Sequence, residues 1–220
     1  MPNILCIETS AALCSVSVTT GDQQFYFEES KPFAHAEVLT GLIKQCLEKS
    51  GLQATELHAV AISEGPGSYT GLRIGTSTAK GLCYALNIPL IALDSLYITA
   101  AAAREKYPAY DFYWAMTDAR RMEVYHAVYD PSLQAVTTRI NGIVTDTDFK
   151  PDMVTGHTIL CGDGAAKATA FLKLKDAEVV ANAAAMCHLA QEAFTAKLFA
   201  DTAYFEPFYL KQANITVSKS

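Results

Sequence analysis

Between Ser63 and Gly75 the chain reads SEGPGSYTGLRIG, which sets four glycines and a proline between two patterned segments. Upstream, His58 to Ser63 (HAVAIS) is apolar with alternation and reads as a buried strand; downstream, Thr70 to Asn87 keeps helical periodicity throughout. The feature is therefore a strand, a glycine turn and a helix. Gly65, Pro66 and Gly67 end the strand, and Ser68 or Thr70 caps the helix. The free N–H groups of its first turn are suited to receive an anion.

Known phosphate loops do not match this stretch. A Walker A loop ends in Gly-Lys-Ser/Thr, where this chain has Gly71-Leu72-Arg73. A dinucleotide fingerprint needs glycine where Thr70 stands. The helix itself is unusual, because Gly71, Gly75, Ala79 and Cys83 recur every fourth residue and form one small-residue stripe bordered by Leu72, Leu82 and Leu86. A glycine inside a helix costs up to about 1 kcal/mol relative to alanine. Two on one face imply that another backbone comes close there, either this chain's own sheet or a helix from another subunit.

The chain has 220 residues, enough for one large domain or two lobes, and no Pro-, Gly- or Ser-rich linker marks a hinge. Its start lacks a basic, long-apolar leader, and no run of 18 apolar residues occurs, so a soluble, cytoplasmic protein without membrane contact is expected. Six scattered cysteines without a C-x-x-C pair argue against structural zinc and disulfides. A net charge of −6 argues against a direct grip on nucleic acid, and the close basic pairs, Arg120-Arg121 and Lys173 with Lys175, read as solvated surface.

Along the chain, Asn3–Thr9, Leu13–Thr19 and Gln23–Glu29 read as a three-strand meander with Glu8-Thr9-Ser10 at its first turn. His35 to Ser50 is an amphipathic helix with Leu39, Leu42, Ile43, Cys46 and Leu47 on one stripe. Val38, Leu42 and Cys46 extend that stripe toward the small-residue helix, making a two-helix surface. Ile88–Leu93 reads as a strand, and Asp94 or Ser95 caps a helix Leu96–Lys106. A second meander then follows, Phe112–Asp118, Glu123–Tyr129 and a strand near 136–144, so that two lobes are expected, 1–107 and 108–220. Thr158–Cys161 is a short strand, Gly162-Asp163-Gly164 turns into a helix Lys167–Leu174, Asn182–Lys197 is the last helix, and the aromatic tail Tyr204–Lys211 docks on the first lobe. The five histidines, His35, His58, His126, His157 and His188, show no i, i+4 pairing, so no metal site and no catalytic residue is expected.

ILCIETS at the start, GPGSYTGLRIG, DARRMEVYHAVY and the final PFYLK stand in an order and spacing that resembles the bacterial TsaB family, also called YeaZ and glycoprotease-like, over nearly the whole chain. The resemblance implies an α/β fold of the actin-like, Hsp70-like (ASKHA) type, duplicated into two lobes, each a mixed sheet flanked by helices. It implies a non-catalytic subunit needed for threonylcarbamoylation of adenosine 37 in tRNAs reading codons that begin with A, with no cofactor of its own. Its partners would be a TsaD-like catalytic subunit bound as a heterodimer and a TsaE-like ATPase as third component, with homodimers when alone and tRNA met only through the complex. The TsaD relative carries a His-x-x-x-His metal pair on the helix after its glycine block, whereas the corresponding helix here has no histidine. In the resembled family the two helices form the dimer face, which points to Val38, Leu39, Leu42, Cys46, Gly71, Arg73, Gly75 and Ala79 as the partner interface. Kinases of the superfamily contact phosphate at the first hairpin turn, usually with Asp, and adenosine beside a later glycine turn. Thr9, Ser10, Gly162 and Gly164 are accordingly nucleotide candidates. The alternative function is an ATP-dependent phosphotransferase using Glu8, Thr9, Asp118 and Gly162 to Gly164; Glu8 in place of Asp and the lack of a paired-acid magnesium site weigh against it. A protease is the weakest reading, since no His pair or activated nucleophile supports it.

Overall fold

The computed structural model of the chain describes residues 1–31, 34–143 and 156–209. Two five-stranded sheets carry the molecule. The first runs β3(Gln23–Glu29), β2(Cys14–Thr20), β1(Ile4–Glu8), β4(Ala59–Gly65), β5(Leu90–Asp94), and the second runs β10(Lys175–Asp176), β9(Thr158–Cys161), β6(Phe112–Asp118), β7(Glu123–Tyr129), β8(Ile140–Ile143). Each begins as an antiparallel meander and continues in parallel from its first strand, β1 beside β4 beside β5 and β6 beside β9 beside β10. The repeated opening read from the sequence is thus a repeated strand order.

Every residue of β1 is buried, because both faces of the sheet are covered. Leu5 and Ile7 point to one side with Val16, Val18, Val60 and Ile62, where α1(His35–Ser50) and α2(Tyr69–Leu86) pack. Ile4 and Cys6 point to the other, into a core shared with the second sheet's Tyr113, Ala115 and Ile159. Two helices fill that shared layer, α3(Ser95–Lys106) and α5(Ala183–Thr195). The run Ala100 to Ala103 in α3 is buried on all sides, since only small side chains let a helix lie between two sheets. The expected boundary at 107/108 falls in the connection from α3 to β6, and the core continues across it. The short α4(Ala165–Leu172) covers the outer face of the second sheet over Trp114, Met116, Val124 and Leu160.

Two expected elements shift. The strand expected near 136–144 is described only as Ile140–Ile143, because the preceding residues are held as a turn. Asp130 Oδ1 accepts from the N–H groups of Ser132 and Gln134, and Thr137 Oγ1 accepts from Val128 N–H. Val144 lies outside the described residues. The helix expected at 167–174 begins at Ala165 and stops where Lys173 turns left-handed at φ 54°.

Candidate functional site

At the carboxyl ends of β1 and β4 the glycine block meets the turn after β1. A Cβ on Gly67 would overlap the Ser10 carbonyl, one on Gly71 the Thr9 carbonyl, and one on Gly75 the Thr9 hydroxyl. Gly65, at φ +108°, faces the Phe208 carbonyl, which a Cβ would approach to 2.7 Å. Gly65, Gly67 and Gly71 are therefore required by this chain's own backbone, and Gly75 by the side chains of Thr9 and Ile62. Ser68 caps α2 by accepting from Gly71 N–H at 3.3 Å, and Ser68 N–H itself donates to the Ser10 carbonyl at 2.6 Å. The N–H groups of Ser68 and Gly71 are thus taken up within the turn itself.

This corrects the reading of the small-residue stripe. Gly71, Gly75, Ala79 and Cys83 are buried against the first sheet, as are Leu39, Leu42 and Cys46 of α1. Burial pushes the thiol of Cys46 up to about 12 and that of Cys83 to about 11. Of the eight residues expected to meet a partner, six face inward; Val38 is half-buried and Arg73 exposed. The physical reason is that the stripe combines the helix's smallest residues with Leu72, and the closest backbone is that of Thr9.

What α2 turns outward is a different surface. Thr70, Arg73, Ser77, Gly81 and Tyr84 are exposed on the opposite side of the helix, Tyr84 to 88%. Space beyond Gly81 is open, as it is beyond Gly41 on α1. Both glycines weaken their helices without an intramolecular contact to explain them. Along one edge of this face runs the tail from Ala200 to Tyr209. Ala200 N–H donates to the Leu90 carbonyl at 2.8 Å, Lys80 Nζ donates to the carbonyls of Ala203 and Phe205 at 3.0 Å each, and Arg73 Nε donates to Tyr209 Oη at 3.4 Å. The Arg73 guanidinium lies 4.2 Å from the centre of the Tyr69 ring, and the Tyr69 and Tyr209 rings are 5.0 Å apart. Exposed Tyr69, Tyr84, Tyr204 and Arg73 give the face the composition of a protein-binding surface. Sequence reasoning missed Ser77, Gly81 and Tyr84, although the same wheel that aligns Gly71 with Gly75 sets them opposite.

The nucleotide candidates have internal roles. Thr9 and Ser10 are buried beneath the glycine block. Glu8 is fully buried; its Oε1 accepts from Ser10 N–H at 2.5 Å and Ser63 Oγ at 3.0 Å, and burial raises its pKa. Gly162, at φ +101°, lies against the Met116 carbonyl, and Gly164 against Thr117 and Asp118. Asp118 pairs with Lys167 Nζ at 2.6 Å. These groups serve two separate turns, one in each sheet.

The histidines are likewise apart. His35 ties the start of α1 to the Ala11 carbonyl at 3.0 Å, His58 Nδ1 accepts from Asn3 N–H at 2.9 Å, and His126 Nδ1 accepts from Trp114 Nε1 at 3.1 Å. His157 stacks on Tyr110 at 4.0 Å, and His188 lies 3.0 Å from Glu192. Among the described residues no group of three or more His, Cys, Asp or Glu side chains is placed to hold a metal ion, and no helix is long and apolar enough to cross a membrane.

Comparison with known proteins adds an independent view. Residues 31–217 match the family model TsaD, described as tRNA N6-adenosine threonylcarbamoyltransferase. The chain is 31% identical to the tRNA threonylcarbamoyladenosine biosynthesis protein TsaB of Escherichia coli K12, over 94% of each chain. It is 33% identical to a tRNA N6-adenosine threonylcarbamoyltransferase of Wolbachia pipientis wMel, over 47% of this chain and 36% of that one. Among solved structures, YeaZ from Pseudomonas aeruginosa shares the fold, with a TM-score of 0.85, 24% identity and coverage of 96% of this chain and all (100%) of that one.

Proposed function

Since the chain belongs to the TsaB family of tRNA threonylcarbamoyladenosine biosynthesis proteins, with an actin-like duplicated α/β fold, we propose that it serves threonylcarbamoylation of adenosine in tRNA as a non-catalytic subunit. It docks on a TsaD-like transferase in the cytoplasm, and that subunit carries the chemistry. The observation that carries this reading is the outward face of α2, where Arg73, Ser77, Gly81 and Tyr84 form a tyrosine- and arginine-rich surface around an open helical glycine. Small residues at the centre let a partner helix approach, and tyrosine and arginine at the edges supply the anchors that dominate interface energetics. Of the interface expected from the sequence this reading retains Arg73, on a face that lies on the other side of α2 from the small-residue stripe. A TsaE-like ATPase as third component and self-association of the isolated chain belong to the same proposal. With a net charge of −6, tRNA is reached through the complex.

The test pairs Ser77→Arg with the parent in a reconstituted reaction containing the TsaD-like subunit, the remaining components and unmodified tRNA. Ser77→Arg is expected to keep the parent's melting temperature, to weaken binding of the transferase at least about tenfold, and to lower the modified adenosine formed. Parent-like binding and modification by a folded Ser77→Arg chain would remove the outward face from the proposal.

A further inference from the structure

One side chain joins three distant parts of the molecule where the glycine block begins. Arg139, just before β8 in the second sheet, places Nη1 2.8 Å from Glu64 Oε1 and 3.1 Å from Asp94 Oδ2, both at the ends of first-sheet strands. Its guanidinium also lies 4.1 Å from the centre of the Phe208 ring. Phe208 N–H donates to the Glu64 carbonyl at 2.7 Å, and its own carbonyl faces Gly65. Asp94 is fixed from its other oxygen, Oδ1 accepting from Leu96 and Tyr97 N–H at 2.7 and 3.1 Å as the cap of α3. A flat guanidinium satisfies two carboxylates and stacks on a ring at once, which an ammonium does not.

Phe208 is adjacent to Tyr209, whose ring lies on Tyr69 and whose hydroxyl accepts from Arg73. We infer that Arg139 is a positioning residue for the partner-covered face, acting through the tail: it holds Phe208 on the glycine turn and so sets Tyr209, Tyr69 and Arg73 at the start of α2. Arg139's own contacts are with Glu64, Asp94 and Phe208. The inference rests on the proposed docking of a TsaD-like subunit for its second half only. The first half, that Arg139 fixes the tail, is a property of the isolated chain.

Two measurements on full-length chains separate the halves. In the isolated protein, Arg139→Ala is expected to speed amide hydrogen exchange at Phe208 by about tenfold or more while the amides of α2 from Gly75 to Cys83 keep their protection. Unchanged exchange at Phe208 would overturn the inference. Against the TsaD-like subunit, Arg139→Ala and Phe208→Ala are each expected to weaken binding about tenfold, and the double variant no further, because both act through one tail. Losses that multiply in the double variant would show Arg139 acting by another route and overturn it as well. Arg139→Lys, which keeps the charge without the flat fork, is expected to repeat the faster exchange and serves if Arg139→Ala does not fold. A parent chain that does not bind the transferase removes the docking proposal and the second half with it, leaving the exchange result to decide the first.

Discussion

The two halves of the molecule share a strand order and differ in what they show to solvent. In each, a glycine turn after a parallel strand closes on the end of the first hairpin of its own sheet: Gly67 on Ser10 and Gly71 on Thr9, just past β1, in the first half, and Gly162 on Met116 and Gly164 on Thr117, in the last residues of β6, in the second. From that common device the first half continues into an 18-residue helix with an exposed tyrosine and arginine face, and the second into an 8-residue helix. The last helix of each half, α3 and α5, enters the shared core between the sheets. The difference teaches that the glycine turn belongs to the fold, repeated wherever a parallel strand must turn over a hairpin. The outward face of α2 occurs once and has no counterpart among the described residues.

If the turns are equivalent, Gly71→Ala and Gly162→Ala should both destabilise the isolated chain by about 3 kcal/mol or more, because a methyl group at either meets a backbone carbonyl that has no room to move. Urea midpoints of the two variants check this. A Gly71→Ala chain of parent stability would return the stripe to the surface and break the equivalence.

A buried ionisable group in each half, His126 in one and Glu8 in the other, sharpens the comparison. The second half holds His126 against Trp114, and burial lowers its pKa to about 4. The unfolded chain, with an imidazole near 6.5, takes up that proton first. Stability linked to His126 is therefore complete above about pH 6.5 and falls as pH drops toward 4, by up to about 3 kcal/mol. His126→Asn should flatten the fall in urea midpoint between those pH values, and a parent-like slope would contradict the linkage. The first half holds Glu8, whose folded pKa is raised by burial. Its native protonated form is favoured, so stability linked to Glu8 is present below the unfolded carboxyl range and lost as pH rises through the folded value. Glu8→Gln should raise the urea midpoint at pH 7 by a smaller amount and leave it near the parent's at pH 4. A drop at pH 7 would show that the charge is needed.

Much of this was legible in the sequence. The apolar run Asn3–Thr9, the alternation in Leu13–Thr19 and the strand Gln23–Glu29 drew the meander within a residue of its ends, the repeated pattern in Phe112–Asp118 and Glu123–Tyr129 drew its copy, and of the two caps read for α3, Asp94 or Ser95, the structure uses Asp94. The helix wheel of α2 aligned Gly71, Gly75, Ala79 and Cys83 as one stripe, yet Arg73 was grouped with them and Tyr84 was overlooked, because periodicity states which residues share a face and is silent on what covers it. The covering group was the Thr9 backbone, 62 residues before Gly71 in sequence and adjacent only after β1 and β4 pair. The tail was read as docking on the first half, but its anchor, Arg139, sits in a stretch of weak pattern before β8, and ion pairs across such separations leave no periodic trace.

In the proposed complex a partner covers the side of α2 that faces away from this chain's own sheet. Amide hydrogen exchange of the chain, alone and with the TsaD-like subunit, measures it directly. The account expects new protection in peptides from the exposed part of α2, Ser77 to Tyr84, and in the tail from Tyr204 to Tyr209, with peptides from α4 unchanged. Protection confined to the second half, or absent from α2 in a complex that forms, would contradict it.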